Sequence, residues 1–413
     1  MSEVRDIILA PSGEKKIAWA WRNMPLLRAI KEDFEKEKPF EGLKITLSVH
    51  MEAKTACLCR VFAAGGAEMH ATGCNPLSTQ DDVAAALVAG GIDVHAWHAA
   101  TPSEYERHLT MALESGPNII IDDGGDLINI LHTKLQHLIP GVYGGCEETT
   151  TGIKRLYSMA ADKTLRFPMI AVNNANCKYL FDNRYGTGQS VWDGINRTTN
   201  LIVAGKNVVI AGYGWCGKGI AMRAKGFGAK VIITEIDPVK ALEAMMDGFK
   251  VMPMDEAVKL GDLFITATGC ADIITERHFA ALKDGAILCN AGHFNVEVDV
   301  AWLDNNTNRQ EQKPNIMGYT LNNGKTIFVL AEGRLVNLAS GDGHPVEIMD
   351  MSFAIQALSA RFLALHHKML GPGVIPVPPE IDTDVARKKL ASCGLSIDTL
   401  TPEQSKYLAS WNL

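Results

Sequence analysis

The stretch that decides the fold is Gly212-Tyr213-Gly214-Trp215-Cys216-Gly217, a G-x-G-x-x-G pattern. The apolar residues 207–211 before it predict a strand, and residues 216–227 after it predict a helix that ends at Gly228. In such a unit the first glycine permits a tight turn, the second lets the backbone approach a pyrophosphate, and the third allows close helix packing. The pattern therefore predicts a βαβ crossover that binds a dinucleotide.

An acidic residue indicates which dinucleotide is bound. A second β run follows at residues 230–235 and ends in Glu235, roughly 20 positions after Gly212. A carboxylate there accepts hydrogen bonds from ribose hydroxyls and repels a 2′-phosphate, which favours NAD over NADP. The alternative is an ordinary glycine-rich turn, but the flanking strand, helix and acid argue against it.

The composition is typical of an enzyme that acts on small molecules. At 413 residues, of which 47% are hydrophobic, the chain predicts about two to three domains with sizeable cores. A net charge of −7 argues against a nucleic-acid or anionic membrane partner. The start of the chain shows no signal-peptide pattern, and no apolar run is expected to reach membrane-spanning length. Nine cysteines without paired metal spacing predict reduced thiols in a cytoplasm and no metal site.

The alternation of helical and strand patterns predicts an α/β fold. We expect a doubly wound NAD-binding Rossmann domain, residues 190–343, inserted into a second α/β domain that binds the substrate, residues 1–185 and 344–390. A short helical tail, residues 391–413, would follow. Strands are expected at 43–49, 118–121, 263–267, 286–288 and 326–330, a helical segment from 344 to about 370, and a proline-rich connector at 372–379.

Polar clusters follow several of these predicted elements. They are His50, residues 122–126, residues 147–151, Lys178 with Asp182 and Asn183, and the histidines His293 and His344. In an open α/β sheet the loops after the strands form the ligand crevice, so the clusters predict one shared site. Each has a plainer explanation when taken alone: a structural histidine, a solvated acidic loop, or an exposed i, i+4 ion pair. Their joint occurrence favours a site.

Longer blocks complete the pattern. They are His50-Met51, Cys74-Asn75 with Ser78-Thr79-Gln80-Asp81, Asp122-Asp123-Gly124-Gly125-Asp126-Leu127, Glu147-Glu148-Thr149-Thr150-Thr151-Gly152, Phe181-Asp182-Asn183, Gly212-Tyr213-Gly214, Asn290-Ala291-Gly292-His293-Phe294, Glu332-Gly333-Arg334-Leu335-Val336-Asn337-Leu338 and Gly343-His344-Pro345. In this order they resemble the S-adenosylhomocysteine hydrolase (adenosylhomocysteinase) family over nearly the whole chain.

This resemblance implies a homotetramer that holds NAD tightly and uses it within a hydrolytic cycle. NAD⁺ would oxidise the ribose 3′-hydroxyl, which makes the 4′ C–H acidic. Homocysteine thiolate would then be eliminated, water would add, and the hydride would return. The cofactor would thus be regenerated in each turnover.

The resemblance also assigns roles by motif position. Lys178 and Asp182 would act at the 3′-hydroxyl. Asp123 and Glu148 would orient the ribose, and His50 with Asp123 would handle protons near the 5′ carbon. The implied substrate-binding residues are Glu52, Lys54, Thr55, His293, Leu338, His344, Met349 and Phe353, and the implied NAD-binding residues are Thr149, Thr150, Thr151, Asn183, Gly212, Gly214, Gly217, Glu235, Asn290 and Asn337.

One departure from the family pattern changes the predicted substrate. After His50-Met51 the family has threonine, an aliphatic residue, then glutamate or glutamine, whereas this chain has Glu52-Ala53-Lys54-Thr55. An ammonium donates only, so Lys54 would oppose the 6-amino group of adenine but pair with the carbonyl of hypoxanthine. The motif resembles the archaeal, methanogen branch, which hydrolyses S-inosyl-L-homocysteine to inosine and homocysteine during S-adenosylmethionine recycling, within the methyl cycle of one-carbon metabolism. Alternatively, Lys54 turns away to pair with Glu52, and adenine binds through backbone contacts.

Two further departures concern the cofactor. Thr187 stands where many relatives carry a cysteine near the nicotinamide, so no thiol role is expected there. The tail ends at Trp411-Asn412-Leu413 and lacks the lysine- and tyrosine-containing extension that reaches a neighbouring subunit's NAD in the usual family. We expect NAD to exchange more readily as a result.

Two other functional classes make different predictions. A plain 2-hydroxyacid or amino-acid dehydrogenase would share the glycine pattern but would produce NADH from its substrate. A catalytically silent NAD-binding regulator would be expected to have lost some proton-transfer residues. Here the candidates His50, Asp123, Glu148, Lys178 and Asp182 are all present.

Overall fold

Two eight-stranded sheets with helices around them make up the computed structural model, which describes residues 2–411. Met1 of the predicted substrate domain and Asn412 and Leu413 of the predicted tail lie outside the described residues. The strands in chain order are β1 Glu3–Val4, β2 Lys44–Ser48, β3 Glu68–Thr72, β4 Asp93–Ala96, β5 Ile119–Asp122, β6 Gly144–Glu147, β7 Pro168–Ala171, β8 Asn207–Ala211, β9 Lys230–Thr234, β10 Lys250–Val251, β11 Leu263–Thr266, β12 Ile287–Asn290, β13 Asn308–Lys313, β14 Ile316–Thr320, β15 Thr326–Leu330 and β16 Gly373–Pro376.

Eighteen α-helical segments accompany these strands among the described residues. They are α1 Ala10–Arg22, α2 Pro25–Glu37, α3 Ala53–Ala64, α4 Asp81–Ala89, α5 Pro102–Leu113, α6 Asp126–Thr133, α7 Thr150–Ala161, α8 Asn176–Lys178, α9 Thr187–Thr199, α10 Trp215–Gly226, α11 Pro238–Met246, α12 Met254–Ala257, α13 Glu276–Phe279, α14 Val300–Asn306, α15 Val336–Ala339, α16 Val346–His366, α17 Pro379–Ser392 and α18 Pro402–Leu408. A π-helix, Tyr179–Gly186, joins α8 to α9.

The order of the strands places two crevices at the carboxyl ends of the sheets. The first sheet runs β1-β4-β3-β2-β5-β6-β7-β16 and is parallel throughout. The second runs β10-β9-β8-β11-β12-β15-β14-β13, with an antiparallel hairpin at one edge. The strand order reverses between β2 and β5 in the first sheet and between β8 and β11 in the second. Such switch points are where open α/β sheets bind ligands.

The predicted α/β, doubly wound class is confirmed, and most predicted strands are found within a residue or two of their expected bounds. One prediction is wrong. The proline-rich segment 372–379 is more than a connector, because residues Gly373–Pro376 form β16, which pairs in parallel with β7 at the sheet edge. Proline is tolerated there because an edge strand has one side without ladder hydrogen bonds. The proposed domain limits stay a prediction, although β16 joins the sheet formed by the first 171 residues.

A second correction concerns the longest helix. Residues Val346–Met369 have the length and the mean hydropathy, 1.3, of a membrane-spanning helix, contrary to the expectation that no run reaches that size. However, 72% of its most apolar window is buried inside the protein. Phe353, Ala354 and Leu363 of this helix belong to the same apolar core as β2 and α3. We therefore identify α16 as the central core helix of the first sheet.

Candidate active site

The first part of the site lies at the switch point of the first sheet. His50 follows β2, and Asp123 follows the neighbouring β5, so the two side chains meet with Nε2 of His50 3.6 Å from Oδ2 of Asp123. The hydroxyl of Ser78 lies 2.7 Å from Nδ1 of His50 and fixes the orientation of the ring. His293 reaches this pair from the second sheet, with Nδ1 3.8 Å from Oδ1 of Asp123. The thiol of Cys74 donates to Asp123 at 3.4 Å.

Burial decides the protonation of His50. Desolvation lowers the pKa of its imidazole to about 4, against the opposing attraction of Asp123. The ring is therefore neutral at physiological pH, and a neutral imidazole can accept a proton. Burial, reinforced by Asp123, also raises the pKa of the Cys74 thiol well above its usual range, so this side chain is a protonated donor.

The second part of the site is a cation held between carboxylates. Nζ of Lys178 lies 3.1 Å from Oδ2 of Asp182 and 3.5 Å from Oε1 of Glu148, and it donates to Oδ1 of Asn183 at 2.9 Å. Lys178 ends α8, and the π-helix that follows places Asp182 and Asn183 on its side chain. Apart from the ion pair, Oε1 of Glu148 has no hydrogen-bond partner among the described residues. This buried acceptor is available to a ligand hydroxyl.

The charges of this cluster follow from its pairing. Burial opposes the charge of Lys178, but the carboxylates of Asp182 and Glu148 outweigh it and raise the pKa of the ammonium. Burial likewise disfavours ionised Asp182, but Lys178 and His344 lower the pKa of this carboxyl well below its usual range. For Glu148 burial prevails over Lys178 and raises the pKa to about 7. Lys178 and Asp182 are therefore charged at neutral pH, while Glu148 titrates there.

Long-range contacts from α16 hold both carboxylates. Ser352 donates to Asp182 at 2.8 Å, and one turn later Gln356 donates to Glu148 at 2.5 Å. The i, i+4 spacing puts both polar groups on one side of a helix that is otherwise apolar. Neither residue was predicted, because nothing local in the sequence distinguishes them from buried core positions.

Lys54 lies at the start of α3 in a buried pair with Glu52. Their Nζ and Oε2 atoms are 2.9 Å apart, and the two side chains are only 6% and 8% exposed. Nζ of Lys54 also donates to the backbone carbonyl of Asp342 at 2.8 Å, which ties α3 to the segment before α16. A Cβ on Gly343 would lie 3.8 Å from Nζ of Lys54 and 2.7 Å from Leu338, so these predicted substrate residues meet at one point.

The remaining predicted substrate residues have varied environments. Nδ1 of His344 contacts Oδ1 of Asp182, and its Nε2 lies 3.3 Å from the hydroxyl of Thr187. The structure thus brings His344 to the Lys178 cluster. The hydroxyl of Thr55 donates to the backbone carbonyl of His50 at 2.6 Å and so holds the backbone of the His50 loop. Met349 and Phe353 are apolar core residues of α16.

The second sheet carries the glycine turn that was predicted to bind NAD. Gly212 has φ +94°, which L side chains rarely adopt, and a Cβ on Gly217 would lie 2.0 Å from the carbonyl oxygen of Gly212. Around a Cβ on Gly214 there is nothing within 4 Å, so a ligand can approach this backbone. The helix α10 begins directly afterwards, and its N-terminus favours an anionic pyrophosphate.

The polar residues near this turn fit the cofactor to different degrees. Oδ1 of Asn337 is buried without a hydrogen-bond partner among the described residues, so it can accept from a carboxamide. Glu235 directly follows β9 and accepts from the N–H of Tyr213 at 2.7 Å, which places the acid beside the glycine turn. Both the oxygen and the nitrogen of the Asn290 amide hold the loops at Gly292 and Gly333, and its contact with NAD stays a prediction.

The predicted threonines directly follow Glu148 at the start of α7. Thr149 immediately precedes α7, and Thr150 and Thr151 are in its first turn, next to Glu148. Thr150 is exposed, whereas Thr149 and Thr151 are half-buried. Asn183 joins the Lys178 cluster to Asn173, to which it donates at 3.1 Å.

Comparisons with known proteins agree with this geometry. The family model for S-adenosyl-L-homocysteine hydrolase matches residues 1–139, and the model for the NAD binding domain of S-adenosyl-L-homocysteine hydrolase matches residues 183–343. S-inosyl-L-homocysteine hydrolase of Methanococcus maripaludis is 56% identical over 100% of this chain and 99% of its own length. Its counterpart in Methanocaldococcus jannaschii is 54% identical over 100% of this chain and 99% of its own length.

Relatives with the other substrate name are equally similar. The adenosylhomocysteinase of Thermococcus kodakarensis is 56% identical over 99% of this chain and 97% of its own length. Identity over the whole length, the two family matches and the glycine turn at the second sheet together identify both the family and the cofactor. The chain belongs to the S-adenosyl-L-homocysteine hydrolase family and is an NAD-dependent hydrolase.

Proposed function

We propose that the protein hydrolyses S-inosyl-L-homocysteine reversibly to inosine and L-homocysteine, as a step of S-adenosylmethionine recycling. The buried Glu52–Lys54 pair carries this proposal. The edge of hypoxanthine presents a carbonyl acceptor at C6 beside an N1–H donor. Lys54 can donate to the first and Glu52 can accept from the second.

The hydrogen-bond capacity of the pair allows this. An ammonium has three N–H donors, and Lys54 directs two of them at Glu52 and at the carbonyl of Asp342. The third is left for a purine oxygen. Adenine presents the reverse order, an amino donor at C6 and an acceptor at N1, so it would oppose Lys54 donor to donor. Leaving such a buried donor unpaired costs about 1 to 3 kcal/mol.

The alternative substrate is S-adenosyl-L-homocysteine. The pairing of Lys54 with Glu52 is compatible with this substrate as well, if backbone groups hold the adenine instead of the Lys54 side chain. Relatives named adenosylhomocysteinase also match the full length of the chain. Turnover of the purified enzyme on the two thioethers, followed by thiol release, decides between them. A higher kcat/KM for the adenosyl compound would refute the inosyl proposal, and an absence of thiol release from both would point to a silent regulator.

We assign the catalytic roles to five residues. Bound NAD supplies hydride acceptance and return at the ribose 3′ carbon. The ammonium of Lys178, kept charged by Asp182, donates to the 3′ oxygen. Glu148, whose Oε1 has no hydrogen-bond partner among the described residues, accepts from a ribose hydroxyl and can take the proton that the 3′-hydroxyl releases as its hydride leaves. Asp123, beside the neutral imidazole of His50, orients the ribose.

The position of His50 suits proton transfer at the 5′ carbon. Since Ser78 occupies Nδ1, the free Nε2 faces Asp123 and the interior of the cleft. There the neutral imidazole can accept a proton from the water that adds at the 5′ carbon. His293, from the second sheet, covers this end of the cleft and would contact the homocysteine portion.

We further propose a cytoplasmic homotetramer. The last described residues expose many large apolar side chains, among them Leu395, Ile397, Leu408 and Trp411, and Trp411 is 94% exposed. A second exposed apolar face lies on α11 and is formed by Val239, Leu242, Met245 and Met246. Such surfaces on one chain favour burial against further copies of it.

A further inference from the structure

Glu147 is a buried acid to which the proposed mechanism assigns no role. It ends β6, directly before Glu148, and it is completely buried. It belongs to the block that runs from Glu147 to Gly152, in which Glu148 and the three threonines were predicted to contact substrate or cofactor. The two end residues of the block are therefore unexplained.

The contacts of Glu147 join two loops. Its Oε1 accepts from the N–H of Gly124 at 2.9 Å and from the N–H of Thr149 at 3.0 Å. Gly124 is the residue after Asp123, and Thr149 is the residue after Glu148. One oxygen atom therefore ties the backbone beside one ribose-orienting acid to the backbone beside the other.

Gly152 restricts the position of this carboxyl group. A Cβ at residue 152 would lie 2.1 Å from Cδ of Glu147 and 2.3 and 2.4 Å from its two oxygens. Carbon atoms do not approach so closely, so only glycine allows the first turn of α7 to pack on Glu147. The carboxyl group is held between this helix and the two N–H donors.

The surroundings favour the neutral form of Glu147. Burial, reinforced by Asp122 and Asp123, raises the pKa of its carboxyl well above the usual range. Asp122 is paired with Glu147 across β5 and β6, and burial raises its pKa to about 8. Oε2 of Glu147 has no hydrogen-bond partner among the described residues.

The second sheet also has a buried glutamate packed on a glycine. There the buried Glu297 accepts from the N–H groups of Thr268 and Gly269 at 3.0 and 2.8 Å, in the loop after β11. A Cβ on Gly292 would lie 2.0 Å from Oε1 of Glu297. A buried glutamate packed on a glycine therefore braces the loops of both sheets.

We propose that Glu147 is a positioning residue that sets the separation between Asp123 and Glu148. Its Oε1 holds the two loops in register, and Gly152 keeps the carboxyl group in place. This rests on the ribose-orienting roles proposed for the two acids. A misplacement of about 1 Å in such groups lowers turnover by roughly 10²-fold, because reacting groups must be held in near-attack geometry.

Three substitutions in the full-length, NAD-loaded enzyme test the proposal. Glu147→Leu removes the acceptor, and Gly152→Ala displaces it without changing its chemistry. Both should lower kcat by about 10- to 100-fold. Glu147→Gln keeps an acceptor of the same shape without a charge, so it should retain kcat within about 5-fold of wild type and keep the pH profile. Gly141→Ala is the matched control, because a Cβ there has nothing within 4 Å.

Separate measurements exclude a merely structural effect. Thermal unfolding and bound NAD per chain give the folded, loaded fraction, and kcat is expressed per loaded site. The proposal is overturned if loaded Glu147→Leu and Gly152→Ala sites turn over within about 3-fold of wild type, or if Glu147→Gln is as impaired as Glu147→Leu. If Gly152→Ala does not fold, the comparison of the leucine and glutamine variants decides. All rates are measured with the thioether that the wild-type enzyme prefers. The test of Glu147 therefore does not depend on whether that thioether is the inosyl or the adenosyl compound.

Discussion

At the scale of single residues, we expect selectivity for the purine to be concentrated in Glu52 and Lys54. The two side chains form one buried pair with an acceptor and a donor side by side. Both hypoxanthine and adenine offer one donor and one acceptor on this edge, in opposite order. Discrimination therefore depends on which member of the pair lies opposite C6, and Lys54 is the residue whose change should reverse it.

Lys54→Gln tests this selectivity. A glutamine at residue 54 can accept from an adenine amino group, which an ammonium cannot do. We expect the ratio of kcat/KM for the inosyl over the adenosyl thioether to fall by about 10- to 100-fold, which corresponds to the cost of one buried unpaired group. Steady-state assays on both thioethers measure it. Lys406→Gln, on the exposed helix α18, is the control. An unchanged ratio in Lys54→Gln would contradict the proposal that Lys54 recognises the purine.

Gln356 should affect the pH dependence of activity, because it hydrogen-bonds Glu148 and lowers the pKa of that carboxyl group. Its N–H donates to Oε2 of Glu148 and so favours the ionised carboxylate, against the burial that raises its pKa to about 7. Gln356→Leu removes this donor and therefore raises the pKa further. If ionised Glu148 orients the ribose, activity rises with pH through this pKa. The acid limb should then move to higher pH by about one unit, as expected for a hydrogen bond to a charged group.

The measurement for Gln356→Leu is kcat/KM between pH 5.5 and 9, an interval of about 1.5 to 2 units either side of this pKa. Ser359→Ala on the same helix is the control, because its hydroxyl has no hydrogen-bond partner among the described residues. A limb that stays in place or moves to lower pH would exclude Gln356 as a determinant of this titration.

At the scale of elements, periodicity predicted much of the fold and part of the site. The strands β8 and β15 occur at the predicted bounds, because each is a run of β-branched and other apolar residues that favour strands. Polar side chains directly after strands could be predicted as a site, since parallel strands present their carboxyl ends together. The edge strand β16 was missed because its prolines are typical of a connector. Ser352 and Gln356 were missed because their partners are more than 150 residues away.

Asp350 shows how α16 organises the first unit, and it provides a stability prediction. Its buried carboxylate accepts from the N–H groups of Leu26 and Leu27 at the start of α2 and lies 3.3 Å from Nζ of Lys389. We expect Asp350→Ala to lower the free energy of unfolding by about 2 to 4 kcal/mol, since it removes a helix cap and leaves buried donors unpaired. Denaturant unfolding measures this. The exposed Asp33→Ala on α2 should change it by less than about 0.5 kcal/mol, and an equal loss in both variants would contradict the cap.

At the scale of the whole molecule, the candidate site combines residues from both sheets. His293 comes from the second sheet and approaches Asp123 of the first, while Asn183 and Thr187 lie between the two sheets in sequence. Arg155 of α7 donates to Asp126 at 2.7 Å, and its guanidinium lies 5.9 Å from the ring centre of Phe294. It therefore links the first sheet to the loop after β12 of the second sheet. Because these residues are far apart in the chain, their meeting could be expected from topology but not from spacing.

The assembly proposed above can be tested on the apolar face of α11. Val239 and Met246 are 72% and 73% exposed on this helix. Replacing both with aspartate leaves the core of the chain intact but puts charges on a surface that an oligomer would bury. We therefore expect the double variant to form smaller assemblies by light scattering at micromolar concentration. Met369→Asp, at a methionine 75% exposed outside this helix, is the matched control. If both proteins keep the wild-type mass, α11 does not contribute to assembly, and the exposed residues of the tail become the surface to truncate.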